Sequence, residues 1–147
     1  MKVGDVMTHD VCMVKGNETL KQAATMMAQE DVGFLPVYED DRLIGMLTDR
    51  DIVLRCVAQG HDGKARVRDA MTKDIKYCYE DEEIDSVLSN MADIQVRRLP
   101  VMNREKSLVG VLSLADAAKS CAAAATGKAY SGITRRGGNH AGDRARA

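Results

Sequence analysis

Thr48 and Asp51, in GMLTDRDI, and Ser113 and Asp116, in GVLSLADA, repeat one arrangement. A small hydroxyl stands three residues before a carboxylate, directly after a short apolar run that opens with glycine. Two chemistries use that spacing. A Ser or Thr N-cap with an acid at the third helical position closes a capping box, or a near relative of it, and starts a helix. A strand end, a helix N-terminus, a hydroxyl and a carboxylate are also what a nucleotide's phosphate and ribose require. The two uses are compatible, because a capped helix start still presents unsatisfied amides and the positive end of its dipole. Arg97 and Arg98 stand just before Leu99-Pro100-Val101, whereas the aligned residues of the other copy are Gly33 and Phe34. Guanidinium groups are suited to phosphate oxygens through their paired donors. The plainer reading is two solvated arginines at a strand start. Arg50 aligns with Ala115 and either adds charge from the first copy or is an exposed first-turn residue.

Catalytic chemistry finds little footing. There is no GxSxG, no P-loop, no carboxylate pair beside a histidine and no cysteine beside an evident base, so no enzymatic activity is expected. Cys12, Cys56, Cys78 and Cys121 form no CxxC pair and lie in apolar periodic segments with no histidine at ligand spacing. That favours buried free thiols over disulfides or a zinc site. His9, His61 and His140 are scattered singly and carry no metal signal. A formal net charge of −1 argues against the basic surface that nucleic-acid binding uses. No apolar run approaches the roughly 18 residues of a membrane span, and MKVGDVMTHD has no signal-peptide core. The expectation is a cytoplasmic protein with neither nucleic acid nor membrane as partner.

The elements that must hold these residues come in two copies. Asp5-Val6-Met7-Thr8 recurs 64 residues later as Asp69-Ala70-Met71-Thr72, and the same offset relates Leu35-Pro36-Val37 to Leu99-Pro100-Val101. From Gly45 to Gly110 the offset is 65 and stays so through Asp51 and Asp116, which locates one added residue in the turn after Val37 or Val101. The runs FLPVY with RLIGMLT, and RLPVM with SLVGVLS, predict antiparallel hairpins. Leu20, Ala23, Ala24 and Met27 share one helical face, as do Ile84, Val87, Leu88 and Met91. VCMV and IKYCY predict a preceding strand in each copy, and DRDIVLRCVAQ and LADAAKSCAAA a closing helix. Each copy thus reads βαββα, an α/β (α+β) class. The expected boundaries are a first domain over 1–60, a polar linker over 61–67, a second domain over 68–125, and a tail over 126–147 with no apolar period, expected to be disordered.

With VMT openings, LPV strands and Gly-apolar-apolar-Thr/Ser-x-x-Asp ends recurring in order, the chain resembles a tandem pair of cystathionine-β-synthase (CBS) domains, a Bateman module, from Val3 to about Ala123. GMLTDRDIVLRCVAQG and QVRRLPV resemble stand-alone bacterial two-domain proteins of the hypoxic or stress response type. The resemblance implies βαββα units packed about a pseudo-two-fold axis, with clefts that bind AMP, ADP or ATP, and in some members S-adenosylmethionine or NAD. It implies no other cofactor. Carried onto this sequence, Asp51 and Asp116 would accept ribose hydroxyls, with Thr48 and Ser113 at ribose or phosphate. The base would be sandwiched near Asp10, Val11 and Cys12 with Pro36 and Val37, or near Asp74, Ile75 and Lys76 with Pro100 and Val101. The function so implied is regulatory: sensing energy or stress state and signalling by contact with an unidentified protein. Ile52, Val57 and Ala118 near the surface point to a homodimer. The alternatives from other classes are a partner-docking module that binds no nucleotide and a thiol redox responder.

Overall fold

In the computed structural model, residues 1–120 and 123–135 are described. The elements run α1 (Val3–Val6), β1 (Val14–Lys15), α2 (Leu20–Glu30), β2 (Phe34–Glu39), β3 (Arg42–Thr48), α3 (Asp49–Ile52), then α4 (Val67–Ala70), β4 (Cys78–Tyr79), α5 (Ile84–Ile94), β5 (Arg98–Met102), β6 (Leu108–Ser113), α6 (Leu114–Ser120) and α7 (Ala123–Ile133). A π-helical segment, Val53–Val57, continues α3. The fold is mixed α/β with two three-stranded sheets, ordered β1-β2-β3 and β4-β5-β6.

Two compact units result, and they are out of step with the sequence repeat. Residues Cys12–Ile75 form one, here the Thr48 unit; Met1–Val11 with the chain from Lys76 onward form the other, the Ser113 unit. Backbone hydrogen bonds explain the exchange of segments. In the Ser113 unit, Val3 and Gly4 donate to the carbonyls of Glu82 and Glu80, and Thr8 pairs with Val111 in both directions. In the Thr48 unit, Val67 and Arg68 donate to Glu18 and Gly16, and Thr72 pairs with Met46. These are the same bonds displaced by the repeat.

Within the Thr48 unit, Thr19 caps α2 in a reciprocal box with Gln22, and Asp31, at φ 54°, ends the helix in the left-handed region. Leu20, Ala23 and Met27 carry the buried face, packing with Val14, Leu35, Val37, Leu47, Cys56, Val67 and Met71. The β2–β3 turn is the two residues Asp40 and Asp41, both at positive φ, as a tight hairpin twist requires. Pro36 sits in the middle strand, where a missing N–H would break a ladder; β1 reaches only Val37 and Tyr38, so no bond is lost on that side. The 61–67 stretch is held rather than loose, since Gly63 and Ala65 accept from Lys21 and Leu20 at the start of α2.

In the Ser113 unit, Ile84, Val87, Leu88 and Met91 of α5 meet Val3, Val6, Met7, Leu99, Val101 and Leu112. Here the hairpin turn takes five residues, 103–107, in which the Asn103 side chain accepts from the amides of Glu105 and Ser107. The expected disordered tail is corrected over its first part. Residues 126–133 lie in α7, which packs against α5, with Ala129 and Ile133 buried. Gln95, itself buried, donates its amide to the carbonyls of Gly132 and Arg135 and so satisfies the end of α7. Residues 136–147 of the tail lie outside the described residues. So does Cys121.

Candidate functional site

Each hydroxyl–carboxylate pair sits where its β-hairpin runs into a helix. In the Thr48 unit, the Asp51 amide donates to Thr48 Oγ1 at 3.1 Å and the Thr48 amide to Asp51 Oδ2 at 3.0 Å. In the Ser113 unit the same reciprocal bonds measure 3.0 and 3.1 Å. Both pairs are therefore helix caps. All four side chains are half-buried, so they also remain reachable from solvent.

Asp116 has a further partner. The Thr8 hydroxyl donates to its two oxygens at 3.2 and 3.3 Å. An ionised carboxylate offers about four lone-pair directions. One amide and one shared hydroxyl leave room for further donors, which is what two adjacent ribose hydroxyls present.

The strand ladders place the remaining residues. Ser113 lies opposite Arg98 and Thr48 lies opposite Phe34. Arg97 and Arg98 are exposed. Asp10 is exposed and Val11 half-buried, and both belong to the Ser113 unit; Asp74, exposed, and Ile75, half-buried, belong to the Thr48 unit. The groupings within one repeat, Asp10 to Cys12 with Pro36 and Val37, and Asp74 to Lys76 with Pro100 and Val101, are thus divided. Asp10 and Val11 share a unit with Pro100 and Val101, and Asp74 and Ile75 with Pro36 and Val37. Val37 and Val101 have no exposed surface and belong to the cores. Pro36 and Pro100 are buried as well. Thr8 escaped the sequence reading, although its recurrence as Thr72 at the repeat offset was a signal for it.

Glycine sets how closely the exchanged segments approach. A Cβ on Gly110 would lie 2.6 Å from Met7 Sδ and 2.8 Å from the Thr8 carbonyl oxygen; on Gly45 it would lie 2.7 Å from Met71 Sδ and 2.9 Å from the Thr72 carbonyl oxygen. The glycine that opens each motif thus makes room for the threonine segment.

The duplicated unit, with its VMT segment folded against a Gly-x-x-Thr/Ser-x-x-Asp strand end, matches the CBS domain family model over residues 3–57 and again over 67–123. The chain belongs to the CBS domain family. Among CBS relatives, the CBS domain-containing protein YhcV of Bacillus subtilis is 41% identical over 116 residues, 79% of this chain and 82% of that protein. Hypoxic response protein 1 of Mycobacterium tuberculosis is 42% identical over 117 residues, 78% and 81% of the two chains. A solved structure of Hypoxic Response Protein I, with two coordinated zinc ions, aligns at TM-score 0.74 and 39% identity, covering 83% of this chain and all of that one. The CBS domain pair of protein MJ0100, in complex with 5′-methylthioadenosine and S-adenosyl-L-methionine, shares the fold at TM-score 0.73 and 23% identity, over 81% of this chain and 94% of that one. Among the described residues of this CBS pair, no group of three or more His, Cys, Asp or Glu side chains is placed to hold a metal ion. No described helix is long and apolar enough to cross a membrane.

Proposed function

We propose that this CBS pair is a non-catalytic regulatory module that binds an adenosine ligand of the AMP, ADP or ATP type and passes the signal on by protein contact. The observation that carries the reading is Asp116, a half-buried carboxylate held in place by Ser113 and Thr8 with accepting capacity left over, in a hairpin whose opposite strand supplies Arg98. A ribose on Asp116 and a phosphate near Arg97 or Arg98 use both chemistries within one unit. The aligned Thr48 and Asp51, with Asp74 and Ile75 in the same unit, give the second site. The adenosine compounds in the MJ0100 complex accord with the ligand class, and the hypoxic response relatives accord with a stress-linked role. Adenine nucleotides are cytoplasmic metabolites, so a cytoplasmic location goes with the reading.

Assembly as a homodimer belongs to the same proposal. Val53 and Val57 are 55% and 66% exposed, Ala118 is exposed and Ile52 half-buried; a twofold contact would cover such residues. Ligand can bias such a module only through a difference in affinity between two arrangements, so regulation requires both to be populated.

Calorimetry with AMP, ATP and S-adenosylmethionine tests the ligand, with Asp116→Ala as the decisive variant. Loss of a hydrogen-bonded charge is expected to weaken nucleotide binding by about 1.5–3 kcal/mol. Equal binding to wild type and variant, with stability alone reduced, would make Asp116 a helix cap only.

A further inference from the structure

The two units share one frame of hydroxyl and carboxylate but differ in the charge set around it, and we infer that they select different adenosine ligands. The Ser113 unit takes a phosphorylated adenosine. The Thr48 unit takes an adenosine derivative whose 5′ substituent carries no negative charge, a thioether or a sulfonium. This rests on the adenosine-binding reading above and adds to it a division of labour between the units.

The contrast is located at four aligned positions. Residues directly opposite in an antiparallel ladder are nearest neighbours across the sheet. The neighbour of Ser113 is Arg98 and the neighbour of Thr48 is Phe34. One position earlier stand Arg97 and Gly33, and at the helix start Leu114 and Asp49, followed by Ala115 and Arg50. The backbone is the same in both: the Leu114 amide donates to the Arg97 carbonyl at 2.9 Å, and the Asp49 amide to the Gly33 carbonyl at 3.0 Å. Only the side chains have changed.

In the Thr48 unit the Asp49 carboxylate fills the space that a side chain at position 33 would need, with Oδ2 only 2.7 Å from where a Cβ on Gly33 would stand. Its Oδ1 accepts from the Arg50 amide at 2.8 Å. A carboxylate is thereby fixed where the other unit projects an arginine. A phosphate brought to Thr48 meets Asp49, where the other unit has Leu114, with Arg50 and Lys73, both exposed, as the nearby cations in sequence. Like charge is an effective way to reject a ligand. The ring of Phe34 works in the other direction, since an aromatic face attracts a sulfonium cation and contacts a thioether sulfur favourably.

Calorimetry on the full chain with AMP and 5′-methylthioadenosine tests the division. AMP is expected to saturate at one equivalent per chain, and AMP-saturated protein to bind one further equivalent of methylthioadenosine. Arg98→Gln should weaken AMP at least tenfold while the methylthioadenosine equivalent persists, which also shows the variant is folded. The double variant Phe34→Arg with Asp49→Leu should raise AMP stoichiometry to two. Two AMP per wild-type chain, or full competition of both ligands for one site, overturns the division and leaves adenosine binding standing. No heat with either ligand removes both.

Discussion

The Thr8 hydroxyl lies 3.2 Å from one oxygen of the Asp116 carboxylate and 3.3 Å from the other, joining residues 108 positions apart within one unit. Thr8→Val keeps the Ser113 cap and removes this donor. It is expected to lower unfolding free energy by about 0.5–1.5 kcal/mol in denaturant titrations, as for one intramolecular hydrogen bond. An unchanged midpoint would show that the contact contributes nothing.

Gly110→Ala is expected to destabilise by about 1–3 kcal/mol, because its Cβ would meet Met7 Sδ at 2.6 Å and a backbone oxygen at 2.8 Å. Gly127→Ala is the opposite case. That glycine lies inside α7 with nothing within 4 Å of a new Cβ, so replacement should add about 0.5–1 kcal/mol of stability. Thermal melts of the two variants should move in opposite directions; shifts of the same sign would contradict the packing described.

Ile133→Ala checks that α7 is part of the Ser113 core. The side chain has no exposed surface, and a cavity of that kind costs about 2–5 kcal/mol. A loss below about 0.5 kcal/mol, within the range of ordinary surface changes, would mean that α7 is dispensable.

Burial, with a smaller contribution from Glu82, pushes the Cys78 thiol up to about 12. The thiol in the unfolded chain ionises from about pH 8.5. Between those values unfolding releases a proton, so the stabilising contribution is whole below the lower value and falls as pH rises, by up to about 1.4 kcal/mol per pH unit. Cys78→Val should show a shallower decline than wild type above pH 9, and parallel profiles would refute the shift. The same protonated, buried thiol should stay unreactive toward disulfide reagents at neutral pH, which speaks against a redox role for it.

Both hairpins, the α2 and α5 core faces and the site of the one-residue insertion were legible because each is a local pattern. Alternation, helical spacing and turn residues are all written within about ten positions of one another. The insertion shows as eight residues between Val101 and Gly110 against seven between Val37 and Gly45, taken up within the longer turn after Met102. What escaped was either too short or too distant. The helices Val3–Val6 and Val67–Ala70 have four residues each and no period to detect. Their docking on Glu80, Glu82, Gly16 and Glu18 is long-range pairing, which composition does not announce. The start of α7 is rich in alanine but lacks a broad apolar stripe, and Ala129 and Ile133, four apart, were its one cue. At the site, Thr48, Asp51, Ser113 and Asp116 were read from spacing, while Thr8 became visible only once the segments were seen to change units.

The exchange of segments has a consequence for synthesis on the ribosome. Residues 12–75 can close their own unit as soon as Ile75 has emerged, but Val3, Val6 and Met7 belong with a core whose other strands are not yet made. At about 5–20 residues per second, the opening segment waits several seconds for β6 and α6 with its apolar side chains uncovered. Val3, Val6 and Met7 are thus made well before the strands they pack against. During that interval these apolar side chains lack their core, and they are where chaperone capture or mispairing between neighbouring nascent chains would begin.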